Sequence, residues 1–261
     1  MDKQALLKEL ARMSQAAGAR IDYVQGGGGN TSVKLPGGLM AIKASGFRLA
    51  QVTEENAFAV VETETLKDVT VEQGYDDRRP SVEVGFHSLL KTFVLHTHPV
   101  YANLILCSET GLARLPELMK GISYIVVPYI NPGAELSTVI KEKKTEETQA
   151  VFMVNHGLVV TADTADECLR LHDEINNRIA LSYGVTPADF NDLRTELAKT
   201  LYPDQQVYLT LTEVQQEIVT AITFIHITLA KNGEKAQAMD GSAMNYIKNW
   251  EGEAYRKSIL K

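Results

Sequence analysis

The chain has 261 residues, 44% of them hydrophobic, which suits one large domain, or one domain with an extension, built on a sizeable core. A net charge of −7, with no run of lysines and arginines, argues against a nucleic-acid groove or a polybasic membrane patch, so an anionic ligand would need a local positive field. The opening "MDKQALLKEL" lacks the apolar centre of a secretion signal, "AITFIHITLA" is far shorter than the ~20 residues of a spanning helix, and Cys107 and Cys168 match no zinc-ribbon or redox spacing, so a cytoplasmic protein with reduced thiols is expected.

In chain order, Leu6, Leu7, Leu10 and Met13 are spaced as the buried stripe of an opening helix, and the run "QGGGGNTS" then stops regular structure in a loop. "TSVKL" and "LMAIKAS", separated by "PGG", read as a hairpin, and "AFAVVE" as another short strand. From there helical and extended segments alternate: "SVEVGFHSLLKT" helical, "FVLHTH" extended, "YANLILCS" helical, "ISYIVVPY" extended, "ELSTVIKEK" helical, "AVFMVNH" extended and "ADECLRLHDEINNRIALSY" helical. Interspersed strands and helices predict a layered α/β domain. From about Thr186 the character changes. A segment punctuated by Pro and Asp leads to the long helix "LTEVQQEIVTAITFIHITLAKNG", and "SAMNYIKNWEGEAYRKSIL" reads as one final short helix whose Tyr246, Ile247 and Trp250 pack on the main domain or on a neighbouring subunit.

The chain has six histidines, and two of them stand in "VLHTHPVY". His96 and His98, at i and i+2 on an extended segment, leave the same face. Glu83 and His87, at i and i+4, share a face of the helix just upstream. His156 ends the apolar strand "AVFMV", where a side chain can project from a sheet edge into a cleft. Imidazoles joined by a carboxylate suit Zn²⁺ or a similar divalent ion with a position left open for substrate. The competing reading makes each histidine a hydrogen-bonded core residue. Two on one strand face favour ligands without deciding it, and the meeting with His156 is a question of tertiary structure.

"GGGGNTSVK", "IKASGFRL", "RRPSVEVGFHSLL", "VLHTHPVYAN" and "VNHGLVV" occur in an order and spacing that resemble the class II aldolase/adducin family, which includes L-fuculose-1-phosphate and L-rhamnulose-1-phosphate aldolases and L-ribulose-5-phosphate 4-epimerase. The resemblance spans about residues 5 to 185. It implies a three-layer α/β/α sandwich around a mainly antiparallel sheet, with residues 1–185 forming the aldolase/adducin-like domain and 186–261 a helical extension. It also implies a homotetramer with active sites at subunit contacts.

Carried over by position, the resemblance makes His96, His98 and His156 ligands of Zn²⁺, or of Mn²⁺ or Co²⁺. Glu83 becomes both the acid/base group and an occasional ligand. Gly29, Asn30, Thr31, Ser45, Gly46 and Ser81 become the phosphate pocket, where backbone N–H groups and small polar side chains hold an anion. Val82 stands where the fuculose-phosphate enzyme has a second serine. Lys43 and Arg48 flank the pocket turn with solvated roles favoured, and Tyr101, Tyr124 and Tyr129 are candidates for a tyrosine acid, with core packing favoured for each. His87 is expected to pack or to support a ligand, and His172 and His226 to be structural.

The implied activity is a metal-dependent aldolase that cleaves a carbon–carbon bond of a sugar phosphate or related ketose through a metal-stabilised enediolate. A sugar-phosphate epimerase, a decarboxylase of the same family and a non-catalytic adducin-like module are the alternatives. Glu rather than Asp at position 83 favours the aldolase. "YPDQQVYL" resembles a segment of aldolase modules fused to short-chain dehydrogenases. This chain has no Gly-x-Gly-x-x-Gly fingerprint, so a separate pathway dehydrogenase is a possible partner.

Overall fold

The computed structural model describes residues 2–259. Asp2 caps helix α1 (Lys3–Gly18) by accepting from the Ala5 N–H, and the helix buries the stripe Leu6, Leu7, Leu10 and Met13. Each of these side chains contributes about 1.5–3 kcal/mol by leaving water. There follow β1 (Asn30–Leu35), β2 (Leu39–Lys43), β3 (Phe58–Glu62), α2 (Val84–Ser88), β4 (Phe93–Thr97), α3 (Val100–Leu106), α4 (Leu115–Leu118), β5 (Tyr124–Val127), α5 (Ala134–Lys143), β6 (Ala150–Met153), β7 (Gly157–Ala162) and α6 (Ala165–Ser182). The chain ends with α7 (Pro187–Leu197), α8 (Pro203–Tyr208), α9 (Glu213–Lys231), α10 (Gly241–Asn249) and α11 (Glu251–Ile259). Among the described residues no helix is long and apolar enough to cross a membrane.

The strands form one sheet in the order β3-β2-β1-β4-β7-β6-β5, antiparallel throughout except for the β5–β6 pair. Side chains alternate across it. Phe93 and Leu95 of β4 join a large core with α1, α3, α6 and α9, while Val94 joins a smaller core with Phe86 of α2 and Leu136 and Ile140 of α5. Both faces are covered, so the expected α/β/α sandwich and its mainly antiparallel sheet are what the chain builds.

Several boundaries differ from the sequence reading. "SVEVGFHSLLKT" is helical only over Val84–Ser88, with Glu83 at its N-cap. "AVFMVNH" is not one extended run: β6 stops at Met153, and Val154, Asn155 and His156 turn the chain into β7, a strand the reading did not separate. Asn155 takes a positive φ of 52°, which a tight turn demands and its short side chain tolerates. The final helix is two, α10 and α11, broken at Trp250, whose ring lies against Tyr246. Ile247 faces the cleft described below, and Leu260 lies outside the described residues.

The later helices are tied to the sandwich by polar contacts. Glu217 of α9, 2% exposed, accepts from Arg48 at 2.8 Å and from the Gly26 N–H at 2.6 Å, joining α9 to the glycine-rich loop. Arg48 is therefore an ion-paired clamp and not a solvated charge. Beyond α9, Glu234 meets Arg114 at 2.6 Å, and the Gln237 backbone bonds Cys107 and Asn155, which leads the chain across the end of the sheet.

His226 is exposed on α9, whereas His172 of α6 is buried and bonds the Thr97 hydroxyl at 2.6 Å. Burial pushes the His172 pKa down from 6.5 to about 3. The native ring stays neutral while the unfolded ring takes up a proton below about 6.5, so stability is lost as pH falls from 6.5 toward 3. His172→Gln is expected to reduce the slope of unfolding free energy against pH in that window by up to about 1.4 kcal/mol per pH unit. Urea titrations at pH 4 to 7 measure it, and an unchanged slope would contradict the assignment.

Candidate metal centre

The central strand β4 delivers the first two groups. His96 faces the α2 side of the sheet, between its cross-strand partners Asn30 of β1 and Val159 of β7, and is fully buried. Its Nδ1 lies 3.0 Å from the Leu158 carbonyl oxygen, which can only accept. The proton therefore sits on Nδ1 and the Nε2 lone pair is free to bind. His98 follows past the strand end, with Nε2 3.2 Å from that of His96. His156 arrives from the β6–β7 turn, its ring centroid 5.0 Å from His96 and 5.2 Å from His98. One nitrogen from each ring falls within 4.8 Å of the others. Glu83 completes the cluster with Oε2 3.5 Å from His96 Nε2 and Oε1 3.3 Å from His156 Nε2.

Donors about 2.0–2.1 Å from a tetrahedral ion lie about 3.3 Å from one another, close to these separations. Glu83 Oε1 is buried without a hydrogen bond, a cost that a cation would relieve. The donor set thus fits a divalent ion of the zinc type held by His96, His98 and His156, with Glu83 beside it. Burial by itself would raise the Glu83 pKa, but the neighbouring imidazoles and the Asn30 amide outweigh it and hold the carboxyl well below its usual range.

Backbone approach makes this convergence possible. A Cβ on Gly29, which has φ +64°, would stand 2.6 Å from the His96 carbonyl oxygen. A Cβ on Gly157 would stand 2.4 Å from the Thr97 carbonyl oxygen and 2.9 Å from the His98 ring. Only glycine lets these flanking segments close on the end of β4.

The cluster lies in a cleft of about 230 Å³ whose wall includes Gly29, Asn30, Ser45, Gly46, Ser81 and Glu83. Thr31 is not part of it. Strand alternation turns the Thr31 hydroxyl to the opposite face, where it bonds Ser14 of α1 at 2.6 Å. Lys43, expected to be solvated, is 2% exposed and lines the cleft, its Nζ donating to the carbonyls of Phe47 at 2.6 Å and Ala44 at 3.2 Å. Val82 also faces the cleft, close to Gly252 at the start of α11, where an added Cβ would stand 3.2 Å from the valine side chain.

Of the three candidate tyrosines, Tyr101 bonds Asp22 in the core and Tyr124 packs on Phe152, but Tyr129 lines the cleft. Asn155, Met239 and Ile247 line it too. No spacing in the sequence places these last three in the cleft, because a turn, the segment before α10 and α10 itself carry them there.

Residues 8–183 match the family model described as Class II Aldolase and Adducin N-terminal domain. A Bacillus subtilis (strain 168) protein named uncharacterized oxidoreductase YuxG is 29% identical over 189 residues, 62% of this chain and 27% of its own, so the match spans about a quarter of that relative. The 3-oxo-tetronate 4-phosphate decarboxylase of Escherichia coli O6:H1 (strain CFT073) is 25% identical over 196 residues, covering 69% of this chain and 87% of the relative. Among solved structures, Klebsiella pneumoniae YgbL shares the fold with a TM-score of 0.59 at 23% identity, covering 69% of this chain and 89% of that one.

Gly157→Ala is expected to force β7 from the end of β4, lowering stability by about 1–3 kcal/mol through overpacking and weakening metal retention at least tenfold. Thermal unfolding and metal titration measure the two effects. Wild-type values for both would contradict the close-approach argument.

Proposed function

This chain belongs to the class II aldolase and adducin family, and on that premise we propose that it is a metal-dependent lyase that cleaves, and in reverse forms, a carbon–carbon bond of a sugar phosphate or related ketose. The observation that carries the reading is the meeting of three imidazole nitrogens and one carboxylate at the floor of a cleft walled by a buried lysine and small polar groups. A divalent ion, Zn²⁺ or else Mn²⁺ or Co²⁺, would supply Lewis acidity to a substrate carbonyl.

The chain's own groups do the rest. Glu83, ionised and beside the donor cluster, takes a proton from the carbon next to the carbonyl in the condensing direction and returns one to that carbon after cleavage, while the hydroxyl that becomes the aldehyde oxygen gives its proton to water. Lys43 brings positive charge into an acidic protein, and the hydroxyls of Ser45 and Ser81 with the backbone at Gly29 and Gly46 bind the phosphate oxygens. Asn30, whose amide bonds both Ser81 and Glu83, joins the anion end of the cleft to the proton-handling end. Ile218 and Ile222 leave an apolar strip exposed on α9, which supports a homo-oligomer, with a tetramer the state proposed. A cytoplasmic location and a dehydrogenase acting on a product belong to the same reading, the latter supported by the longer oxidoreductase relative.

The decarboxylase relative favours a second reading, loss of CO₂ from a phosphorylated 3-oxo acid. There the bond to the carboxylate breaks, its electrons move to the neighbouring carbonyl, and Glu83, ionised at rest, passes a proton taken from water to the carbon left behind. The two readings separate by product.

The test combines elemental analysis with a screen of ketose 1-phosphates for aldehyde release and of 3-oxo acid 4-phosphates for CO₂ release, with and without chelator. One divalent ion per subunit and chelator-sensitive aldehyde release are expected, while chelator-sensitive CO₂ release alone would transfer the assignment to the second reading. His96→Ala should lose the metal and the activity with its fold intact, and Glu83→Gln should keep the metal while turnover falls on the order of 10²-fold or more. Full activity in His96→Ala would overturn the site. Absence of metal even after reconstitution would favour a non-catalytic module.

A further inference from the structure

Beneath α2, four buried side chains form a hydrogen-bonded chain that ends on Glu83. The Ser32 hydroxyl lies 2.7 Å from His87 Nδ1, His87 Nε2 contacts Asn30 Oδ1, and Asn30 Nδ2 lies 2.7 Å from Glu83 Oε2. His87 is fully buried, and Ser32, Asn30 and Glu83 are 1%, 4% and 6% exposed.

The direction of every bond follows from the acidic end. A carboxylate only accepts, so Asn30 must turn its N–H₂ toward Glu83 and its carbonyl oxygen toward His87. That oxygen only accepts, so His87 carries its proton on Nε2. The neutral ring then offers a lone pair at Nδ1, and Ser32 donates to it. Burial holds the His87 pKa well below its ordinary value, and Lys34, whose Nζ bonds the His87 carbonyl at 2.7 Å, adds a charge that opposes a second ring proton.

We propose that His87 is a positioning residue that acts through Asn30, holding the amide with its N–H₂ toward Glu83 and so setting how the carboxylate stands over the histidine cluster. The proposal rests on the reading of Glu83 as the group that moves the proton. Without a donor at His87 Nε2 the Asn30 carbonyl oxygen is left buried and unpaired, while its N–H₂ is still drawn to Glu83 and Ser81. The amide then shifts to find its oxygen another donor, and Glu83, bonded to its other end, moves with it from its place. A packing role needs only the ring's volume, whereas this role needs the donor.

The experiment compares His87→Phe, which keeps volume without the donor, with His87→Gln, which restores an N–H near Nε2. Crystal structures without metal, zinc stoichiometry, kcat and KM are read for each. His87→Phe should show Asn30 shifted and Glu83 displaced, zinc retained near wild-type stoichiometry, kcat lowered about 10- to 100-fold and KM changed less than about threefold. His87→Gln should restore the position of the Asn30 amide and most of kcat. An undisturbed Asn30–Glu83 bond in His87→Phe, or equal impairment in both variants, would overturn the proposal.

Should His87→Phe fail to fold, Ser32→Ala removes the hydroxyl that anchors the ring at Nδ1, and it should loosen the ring's hold on Asn30, shift the amide and lower kcat several-fold. An unmoved Asn30 with wild-type kcat there would overturn the proposal equally. Should the wild-type protein turn over none of the probe substrates, the lyase reading fails, and the crystal structures still decide the role of His87.

Discussion

Everything at the candidate centre depends on how closely the backbone can approach the end of β4. Gly29 on one side and Gly157 on the other have no room for a Cβ against the carbonyls of His96 and Thr97. With larger residues the glycine-rich loop and the β6–β7 turn would stand further off, and the imidazoles of His96, His98 and His156 would not share one point. The glycines thus act as spacers that bring donors from separate segments within 4.8 Å of one another.

Bringing titratable groups together under burial creates an electrostatic problem that the second layer of side chains manages. An ionised, buried Glu83 is unfavourable alone, and the Asn30 amide and the imidazoles offset its desolvation. The Leu158 carbonyl fixes the tautomer of His96, and Ser32 and Asn30 fix that of His87. Each partner is supplied by a strand or strand end adjoining β4 in the sheet, so the protonation pattern is built into the register.

The later helices complete the wall of the cleft. Glu217 of α9 holds the loop that carries Gly29, and the strap after α9 brings Met239 and Ile247 to the cleft mouth. Val82, which stands where the fuculose-phosphate enzyme has a second serine, lines the cleft beside Gly252 of α11. The wall is therefore assembled from segments spread along the whole chain.

The sequence by itself determined the alternating α/β order, the opening helix, the first hairpin and the same-face pair His96 and His98, because these rest on local periodicity and turn chemistry. Its motifs also carried the family and its sandwich fold. Only the tertiary structure decided that His156 sits in a turn and not at a strand end, that Thr31 points away from the cleft, that Lys43 is buried in its wall and that His87 bonds Asn30. Those placements depend on which strands are neighbours and in what register, and on helices that return to the site from the far end of the chain. Periodicity reports the face a side chain takes on its own element, but the groups facing it are set by packing between elements distant in sequence.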